Sequence, residues 1–399
     1  MDSIFDNIPK GEEDPIMSSL IKFKDSKNEN KMNLTIGMIK DDSGTKLKVL
    51  SSVDQAEKQI HNENLNKEYP PMAGSPDFLA AIQNLIFPKE KFDQNSLNLL
   101  VIQCITGGGA LRSGAELIKE LISDTIYLSN YTFSPYKYMF KDLKIEYYPY
   151  YDNLRKNFDF DNFISFLEKL EEKSVINFQL SSHNPTGLDP SKEQWIKISN
   201  VCSEKNFLAY FDIAYLGYGS GSIEEDLYAI HLFQRKNIEM IIAYSSGKSF
   251  MNYCDDVGAL IISTKENQVL SKIKSHLFVI NRGLFSFSSI YGSRIITRIL
   301  NSESLKELWI KELSETWSRI SLIRKSLLDE LEKENLSNLD FYKMQKGIYL
   351  FLDISKKQSD YLENNYSIFI VPGGRISISS LPLEKINYFV KALKDTLNN

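Results

Sequence analysis

Short apolar runs alternate with segments of helical spacing through the middle of the chain. Residues 96–106 are largely apolar and are followed by three glycines, and residues 110–122 then repeat apolar positions at helical intervals. Helix-like segments such as 163–172 and 194–204 separate several later runs. Those runs are four to seven residues long and bounded by polar or glycine-rich sequence: 125–128, 175–180, 208–213, 238–244 and 257–263. The alternation predicts an α/β domain with a mainly parallel sheet flanked by helices, whose central strands are buried on both faces.

The pattern changes after about residue 300. A long helical pattern rich in Lys, Glu and Leu covers 305–334, two strand-like pieces follow at 347–353 and 367–371, and 383–397 predicts a closing helix. This order of helix-like and strand-like segments predicts a second, smaller α+β domain, which the N-terminal segment is expected to join. The expected division is an N-terminal arm with part of the small domain, a large domain and a small C-terminal domain: 1–45, 46–305 and 306–399.

The counts of charged residues, cysteines and histidines exclude several classes of protein. The chain of 399 residues is 42% hydrophobic and 25% charged, with a formal net charge of −5. These values are ordinary for a globular protein and lack the basic excess of a nucleic-acid binder. Three cysteines without a Cys-x-x-Cys pair predict a reducing compartment, and with four scattered histidines they predict no metal site. So few histidines also suggest that acid–base chemistry relies on another group.

The start of the chain and its hydropathy predict a cytoplasmic protein. Residues 1–6 are acidic and resemble neither a signal peptide nor an Arg-rich transit peptide. No run approaches 18 consecutive apolar residues, so no membrane span is expected.

Two candidate ligand loops follow predicted strands, where open α/β sheets bind their ligands. Thr106-Gly107-Gly108-Gly109 stands between a strand and a helix. Glycines and free helix N–H groups can cradle a phosphate there, although a tight structural turn explains the glycines equally well. Asn184 follows the run at 175–180, in Ser-His-Asn-Pro-Thr-Gly. The alternative is a Pro-Thr-Gly turn that begins at an asparagine.

Two charged residues also stand at strand ends. Asp212 lies inside a buried run, where a carboxylate is costly without a partner. It can face a cationic ring nitrogen, or it can serve as a helix cap or a structural ion pair. Lys248 follows the run at 238–244 among small residues. It can form a Schiff base, or it can be an ordinary surface charge.

The order of these four features is more specific than any one of them. An anion cradle, an asparagine, an aspartate and a lysine fall at the ends of successive predicted strands. This set matches the phosphate, the phenolic oxygen, the pyridinium nitrogen and the aldehyde of pyridoxal 5′-phosphate (PLP).

At this point the chain resembles the class I aminotransferases of PLP fold type I, and among them the aspartate aminotransferases. The match covers nearly the whole chain, and seven short motifs stand in the family's order. They are Asn-Leu-Thr-Ile-Gly at 33–37, Glu-Tyr-Pro-Pro-Met-Ala-Gly at 68–74, Gly-Ala-Leu-Arg at 109–112, Ser-His-Asn-Pro-Thr-Gly at 182–187, Asp-Ile-Ala-Tyr at 212–215, Ser-Ser-Gly-Lys at 245–248 and Gly-Gly-Arg-Ile-Ser at 373–377.

The resemblance implies a role for each residue at the cofactor ring. Lys248 would hold PLP as a Schiff base and then act as the general acid–base of the proton shift. Asp212 would pair with the pyridinium N–H and keep the ring an electron sink. Asn184 and Tyr215 would hydrogen-bond the phenolic oxygen, and Phe133 would stack on the ring, or Tyr131 if the loop is shifted.

The resemblance also implies how the phosphate and the substrate are held. Thr106, Gly107 and Ser245 would bind the phosphate, with Gly108 in the same pocket and Tyr69 reaching across a dimer interface. Further residues would bind the substrate. Arg375 would grip the α-carboxylate through two parallel hydrogen bonds, and Asn184 and Gly37 would lie beside it.

The expected substrate class depends on Arg282. The segment Ile-Asn-Arg-Gly-Leu-Phe-Ser at 280–286 resembles the family segment whose Arg, from the neighbouring subunit, binds the distal carboxylate of aspartate or glutamate. If Arg282 is instead a structural surface residue, this inference fails. If Arg282 does bind the distal carboxylate, the substrates are dicarboxylic amino and 2-oxo acids, and the enzyme is a homodimer with shared sites. Residues 33–37 would then form a mobile lid over the substrate.

Three positions depart from the family pattern. Asp256 stands eight residues after Lys248, where the family has an Arg that neutralises the phosphate. At about 5 Å, such a like-charge pair costs roughly 3 kcal/mol at an effective dielectric constant near 20. Gly108 replaces a Thr, and Phe133 stands in place of a Trp. We therefore expect an active enzyme with weaker cofactor retention.

The leading hypothesis is an aspartate:2-oxoglutarate aminotransferase, which would give oxaloacetate and L-glutamate. An aminotransferase of aromatic or broad specificity is a second possibility, because the same fold and both Arg residues can serve it. A catalytically impaired homologue with weak PLP binding is a third, and Asp256 is its main support.

Overall fold

The computed structural model describes residues 3–11, 15–41, 46–336 and 339–399. Its α-helices are α1 Pro15–Asp25, α2 Ser51–Asn62, α3 Pro76–Ile86, α4 Gly107–Leu121, α5 Tyr136–Met139, α6 Phe160–Lys169, α7 Lys192–Glu204, α8 Ile223–Asp226, α9 Tyr228–Arg235, α10 Leu270–Leu284, α11 Tyr291–Asn301, α12 Glu303–Lys333, α13 Leu339–Met344, α14 Lys356–Tyr366 and α15 Ile386–Asn398. Its strands are β1 Met32–Asn33, β2 Leu99–Cys104, β3 Thr125–Ser129, β4 Lys144–Tyr148, β5 Tyr151–Asp152, β6 Asn157–Phe158, β7 Val175–Gln179, β8 Leu208–Ile213, β9 Met240–Ser245, β10 Gly258–Ser263, β11 Tyr349–Phe351, β12 Ile368–Phe369 and β13 Arg375–Ser377.

A seven-stranded sheet in the order β2-β10-β9-β8-β7-β3-β4 forms the centre of the fold. Strands β3, β4, β7, β8 and β9 pair in parallel, whereas β10 is antiparallel to both β2 and β9. Every residue of β7, β9 and β10 is buried, which is why these strands appear as uninterrupted apolar runs in the sequence. The predicted mainly parallel α/β sheet is confirmed, with β10 as the exception.

Strand direction brings the candidate loops to one edge of this sheet. Strands β7, β8 and β9 are neighbours and parallel, and β2 runs the same way because β10 is antiparallel to both β2 and β9. The segments that follow β2, β7 and β9 therefore leave the sheet at the edge where β8 ends. They are the glycine cradle, the Asn184 loop and the Lys248 turn, and Asp212 lies near the end of β8.

The C-terminal part of the chain packs around the long helix α12, which buries an apolar stripe that includes Trp309, Ile323 and Leu327. Two small pairs of strands accompany it, with β11 antiparallel to β13 and β1 parallel to β12. The β1–β12 pair joins the N-terminal segment to the C-terminal part. The proposed domain boundaries stay a prediction, and the first of them falls at residues 42–45, outside the described residues.

The described part of the chain contains neither a candidate membrane span nor a candidate metal-binding group. None of its helices is both long enough and apolar enough to cross a membrane. None of its His, Cys, Asp and Glu side chains form a group of three or more that could hold a metal ion. Residues 1 and 2, part of the segment used to predict targeting, lie outside the described residues.

Candidate active site

Lys248 occupies the turn after β9, and hydrogen bonds from two other elements fix the backbone of this turn. The Tyr218 hydroxyl donates to the carbonyl oxygen of Lys248 at 3.3 Å. The indole N–H of Trp309 donates to the carbonyl oxygen of Ser249 at 2.9 Å. The ammonium Nζ of Lys248 lies 5.0 Å from the centre of the Tyr215 ring. The amine is therefore directed toward the residues at the end of β8.

Asp212 is held near the end of β8 by a tyrosine that the sequence analysis did not identify. The Tyr136 hydroxyl donates to Oδ2 of Asp212 at 2.7 Å. Burial raises the pKa of Asp212 to about 6, although the Tyr136 hydrogen bond and the charge of Lys248 oppose the rise. A cationic N–H placed against this carboxylate would stabilise its ionised form further.

Buried polar side chains shape the Asn184 loop. The Asp189 carboxylate accepts hydrogen bonds from the backbone N–H groups of Ser182 and His183 at 2.8 and 2.9 Å. The Gln179 amide brackets Asn184, accepting from its N–H at 2.7 Å and donating to its carbonyl oxygen at 2.9 Å. Since both contacts engage the backbone, the Asn184 side chain remains available to the site.

His183 is a structural residue of the same loop. Its ring stacks on Tyr150 with the ring centres 4.0 Å apart, and its two nitrogens lie 3.1 Å from the Ser129 hydroxyl and 2.8 Å from the Thr186 hydroxyl. Burial lowers the pKa of His183 to about 3, so the imidazole is neutral at physiological pH. This agrees with the expectation that acid–base chemistry relies on a group other than histidine.

A continuous series of contacts leads from Lys248 to Arg375. The Asn184 amide donates to the Tyr215 hydroxyl at 3.2 Å, and its carbonyl oxygen accepts from Arg375 Nη1 at 3.1 Å. The hydroxyls of Tyr215 and Tyr349 are 3.3 Å apart, and the Arg375 guanidinium lies 4.4 Å from the centre of the Tyr349 ring. Tyr349 is the second residue of the site that the sequence analysis missed.

Arg375 is 5% exposed and faces a cavity of about 260 Å³. Its Nη2 donates to the carbonyl oxygen of Thr35, whereas its Nε has no partner among the described residues. The buried Thr132 hydroxyl lines the same cavity and also has no partner among the described residues. A cavity with a buried guanidinium and unpartnered polar atoms suits a carboxylate ligand.

Gly37 leaves no room for a side chain beside this cavity. A Cβ at position 37 would lie 1.9 Å from the Tyr349 hydroxyl oxygen. Two residues earlier, the carbonyl oxygen of Thr35 accepts a hydrogen bond from Arg375, so the segment 33–37 lies against the site. Whether this segment moves as a lid stays a prediction.

Both aromatic candidates for stacking on a cofactor ring line the same cavity. Phe133 packs its edge against Tyr136, with the ring centres 5.5 Å apart, and so lies on the Asp212 side. Tyr131 packs against Tyr151 and Phe351 at 4.9 and 5.7 Å. Phe133 therefore lies beside the tyrosine that holds Asp212, and which of the two rings stacks on a cofactor stays a prediction.

The glycine cradle forms the N-terminus of α4. The Thr106 hydroxyl caps this helix by accepting from the Gly109 N–H at 3.1 Å. The N–H groups of Gly107 and Gly108 belong to the first helical turn, so the helix itself offers them no acceptor. A Cβ on Gly107 would lie 2.5 Å from the Cβ of Ser245, so the cradle touches the turn after β9. This geometry fits an anion bound between the two segments.

Asp256 places a carboxylate beside the cradle. Both of its oxygens accept from the Ser245 hydroxyl at 3.2 Å, and Oδ1 also accepts from the Ser246 hydroxyl at 3.3 Å and the Gly247 N–H at 2.7 Å. Burial raises its pKa, while the Gly247 hydrogen bond and the charge of Lys248 act in the opposite direction. Because these donors surround Asp256, it competes directly with any anion for the Ser245 hydroxyl.

Tyr69 and Arg282 lie together on the surface, apart from the other candidate residues. Tyr69 is 83% exposed and stacks on Phe287 with the ring centres 4.9 Å apart. The Arg282 guanidinium lies 5.0 Å from the centre of the same Phe287 ring and donates to the Ser286 hydroxyl at 2.7 Å. One chain therefore does not bring these two residues to Lys248 and Arg375.

A mostly parallel α/β sheet with a lysine, an aspartate and an asparagine at adjoining strand ends defines a PLP-dependent transferase of fold type I. The chain belongs to the family of class I and II aminotransferases, whose pattern matches residues 29–393. The mitochondrial aspartate aminotransferase of Gallus gallus is 32% identical over 396 residues, covering 98% of this chain and 93% of the relative.

Solved structures give the same result. The aspartate aminotransferase from Saccharomyces cerevisiae cytoplasm matches with a TM-score of 0.95 at 30% identity, over 99% of this chain and 98% of that one. The aromatic-amino-acid aminotransferase from Burkholderia pseudomallei, covalently bound to pyridoxal phosphate, matches with a TM-score of 0.94 at 27% identity, over 99% and 100%. The predicted family and fold class are therefore confirmed.

Proposed function

We propose that the protein is an aspartate aminotransferase, which moves the amino group between L-aspartate and 2-oxoglutarate in a PLP-dependent reaction. The observation that carries the proposal is the series of contacts from Lys248 through Tyr215 and Asn184 to Arg375. It joins an amine, two hydrogen-bonding groups and a carboxylate-binding guanidinium within one site. The similarity to aspartate aminotransferases over nearly the whole chain supports the same activity.

The residues at the ends of β7 and β8, here called the ring end of the site, have the chemistry needed to hold the PLP ring. Asp212 would accept the pyridinium N–H, Asn184 and Tyr215 would contact the phenolic oxygen, and Phe133 would cover the ring. Thr106, Gly107, Gly108 and Ser245 would surround the phosphate, with Tyr69 contributed by a second chain. When bound, PLP supplies an aldehyde and an electron-withdrawing ring that stabilises negative charge at the substrate Cα.

Lys248 is the residue that we propose to transfer protons. Its amine would hold the cofactor in the resting enzyme. After the substrate amino group has displaced it, the freed amine would accept the proton from the substrate Cα and donate it to the carbon that carried the cofactor aldehyde. Arg375 would orient the substrate by its α-carboxylate, so that the Cα proton faces this amine. The neutral His183 would take no part in the transfer.

Replacement of Tyr136 by Phe should test the support of Asp212. The Phe variant keeps the ring packing and removes the 2.7 Å hydrogen bond that lowers the pKa of the carboxyl. That pKa should therefore rise, and the acid limb of the kcat profile, where activity is lost on protonation, should move to higher pH. A hydrogen bond to a charged group is worth about 1.5–3 kcal/mol, so we expect kcat to fall roughly tenfold or more.

The Tyr136 experiment has a control on the same short helix. Tyr138 is 55% exposed, and Tyr138→Phe should leave both kcat and the pH profile unchanged. A Tyr136→Phe enzyme whose kcat and acid limb match the parent would contradict the assigned role.

We further propose a cytoplasmic homodimer that acts on dicarboxylic amino and 2-oxo acids. Tyr69 and Arg282 are exposed together at Phe287, where a second copy of the chain could receive both in its site. In that arrangement the Arg282 guanidinium would bind the distal carboxylate of the substrate. The compartment rests on the sequence prediction, since relatives from cytoplasm and from mitochondria are about equally similar.

Substitution of Arg282 by Ala tests the substrate class. We expect kcat/KM for aspartate to fall roughly 30-fold or more, because a lost charge pair in a binding site costs about 2 kcal/mol or more. The rate with phenylalanine, which has no distal carboxylate, should change little. The readout is the loss of the absorbance band of the aldehyde form of the cofactor on mixing with each amino acid.

Arg294→Ala is the matched control for this experiment. Arg294 is a nearby arginine that donates to the carbonyl oxygen of Asn66, and its loss should affect both substrates equally. Equal losses with aspartate and phenylalanine in Arg282→Ala would contradict the dicarboxylate assignment. A cofactor band that no amino acid changes in the unmodified enzyme would contradict the whole proposed function.

An aromatic or broad specificity is the second candidate. Tyr131, Phe133 and Phe351 line the cavity beside Arg375, so aromatic substrate side chains would find apolar contacts there. The similarity to an aromatic-amino-acid aminotransferase agrees with this candidate. Unmodified enzyme that reacts faster with phenylalanine than with aspartate would favour it.

A further inference from the structure

The phosphate end of the site contains a negative charge where an anion must bind. The cradle at Gly107 touches Ser245, and the Ser245 hydroxyl already donates to both oxygens of Asp256. The Gly247 N–H, a further donor at this point, is also committed to Asp256. A bound phosphate ester would therefore lie against the Asp256 carboxylate and compete with it for the same hydroxyl.

The charges around Asp256 do not neutralise it. Lys248 is the cation that acts on it, and this amine is committed to the cofactor aldehyde in the proposed function. Burial and then the charge of Asp256 raise the pKa of Tyr244, at the end of β9, whose buried hydroxyl has no partner among the described residues. Beyond Asp256, the neighbouring Asp255 faces Glu57 of α2 and Tyr291 of α11, so the adjoining surface is acidic as well.

Two anionic oxygens in contact share a proton more readily than they both stay ionised, as paired carboxylates do. A phosphate ester has its second pKa near 6 and is a dianion at pH 8. An uncharged Asp256, or a monoanionic phosphate, would turn the repulsion into an O–H···O hydrogen bond. The Gly247 N–H could keep its contact with Asp256 Oδ1, while the Ser245 hydroxyl turns to the phosphate and Oδ2 meets it.

We propose that Asp256 makes cofactor binding proton-coupled: one proton from solvent is taken up and shared between its carboxylate and the cofactor phosphate. The proposal rests on the proposed function, since it takes the cradle to be the phosphate site. Its consequence is a cofactor that is retained in mildly acidic solution and released more easily as the pH rises. A fixed positive charge would bind the phosphate at any pH, whereas Asp256 makes the affinity depend on a proton.

Calorimetry on the full-length apoprotein measures this proton directly. Pyridoxine 5′-phosphate is a suitable probe, because it carries the phosphate but no aldehyde that could react with Lys248. Titrations at pH 8 in buffers of different ionisation enthalpy give the number of protons taken up on binding. We expect the unmodified protein to take up about one proton more than the Asp256→Asn variant.

The affinity should show the same difference. The dissociation constant of the unmodified protein, divided by that of Asp256→Asn, should rise with pH between 7 and 9 by up to about tenfold per unit, the limit for one proton. Asp255→Asn removes a carboxylate next to Asp256 that makes no contact with Ser245, and it should behave like the unmodified protein. If Asp256→Asn does not fold, Asp256→Ser permits the same comparison, since it also removes the carboxylate and leaves a smaller polar side chain.

Three outcomes would overturn the proposal. Equal proton uptake by the unmodified protein and the Asp256 variant would remove Asp256 from the coupling, while the aminotransferase function could still hold. A ratio of dissociation constants that does not change with pH would do the same. Failure of both proteins to bind pyridoxine 5′-phosphate, when the spectra still change with aspartate, would show that the phosphate is held elsewhere.

Discussion

Lys248→Ala should lower kcat by roughly 10⁴-fold or more, because it removes both the covalent anchor of the cofactor and the proposed proton carrier. The backbone of this turn should stay in place, since Tyr218 and Trp309 hold it through the carbonyl oxygens of residues 248 and 249. The measurement is a single-turnover reaction with aspartate, followed by the absorbance of the cofactor. We expect PLP to bind reversibly and to be removed by dialysis.

Lys265→Ala provides the control for a lost lysine. Lys265 is an exposed residue just after β10, at the sheet edge opposite Lys248, because the end of β10 pairs with the start of β9. Its removal should change stability and kcat little. A Lys248→Ala enzyme that retains a tenth of the parent rate would show that another group transfers the proton. A variant with unchanged activity would remove Lys248 from the site altogether.

Arg375→Ala should lower kcat/KM for every amino acid substrate by about 30- to 5,000-fold, since truncating one partner of a buried charge pair costs roughly 2–5 kcal/mol. The loss should be similar for aspartate and phenylalanine, because both present an α-carboxylate. This outcome separates Arg375 from Arg282, whose removal should affect aspartate alone. The steady-state rates with both substrates provide the measurement.

Arg375→Lys isolates the geometry of the guanidinium from its charge. A lysine keeps the positive charge but can neither form two parallel hydrogen bonds nor stack on the Tyr349 ring as the guanidinium does at 4.4 Å. We expect kcat/KM between those of the parent and Arg375→Ala. If Arg375→Lys equals the parent, the two-pronged grip is unnecessary, and if Arg375→Ala equals the parent, the substrate carboxylate is bound elsewhere.

Local pattern was enough to predict six of the seven strands of the sheet, because the central ones are buried on both faces. The edge strand β4 was missed, because only one of its five residues is buried and it forms no apolar run. The runs at 175–180, 208–213 and 238–244 coincide with β7, β8 and β9, and each has turn residues or a helix after it. The direction of β10 was not predictable in this way. A buried antiparallel strand has the same uninterrupted apolar composition as a buried parallel one, so only its pairing with β2 and β9 distinguishes it.

The residues that the sequence analysis assigned to the ring end do lie together. Asn184, Asp212 and Lys248 were recognisable because each is a polar residue at or soon after the end of a buried strand. Tyr215 and Phe133 were assigned only through the resemblance. Tyr136 and Tyr349 carried no such signal. Tyr136 is one tyrosine of a short helix, and Tyr349 is 134 residues from the Tyr215 hydroxyl that it meets, so their roles depend on tertiary packing.

Asp256 shows a different limit. Its unusual position was visible in the sequence, since a carboxylate replaces a cation expected near the phosphate. Its hydrogen bonds with Ser245 and Gly247 were not visible, because they require the turn after β9 to fold back on the loop before β10. The physical consequence therefore changed from simple repulsion to competition for a shared hydroxyl.

Gly37 and Tyr349 impose an order on how this chain can diverge. The 1.9 Å that separates a hypothetical Cβ at position 37 from the Tyr349 hydroxyl oxygen means that neither residue can be considered alone. An alanine at 37 is acceptable only after the side chain at 349 has become smaller. The reverse order passes through a protein with overlapping atoms beside Arg375. Loss of the hydroxyl alone is not enough, because the ring carbon Cζ would still lie 2.7 Å from that Cβ. Evolution at the two positions is thus directional, and the first step has to replace the ring at 349 by a smaller side chain.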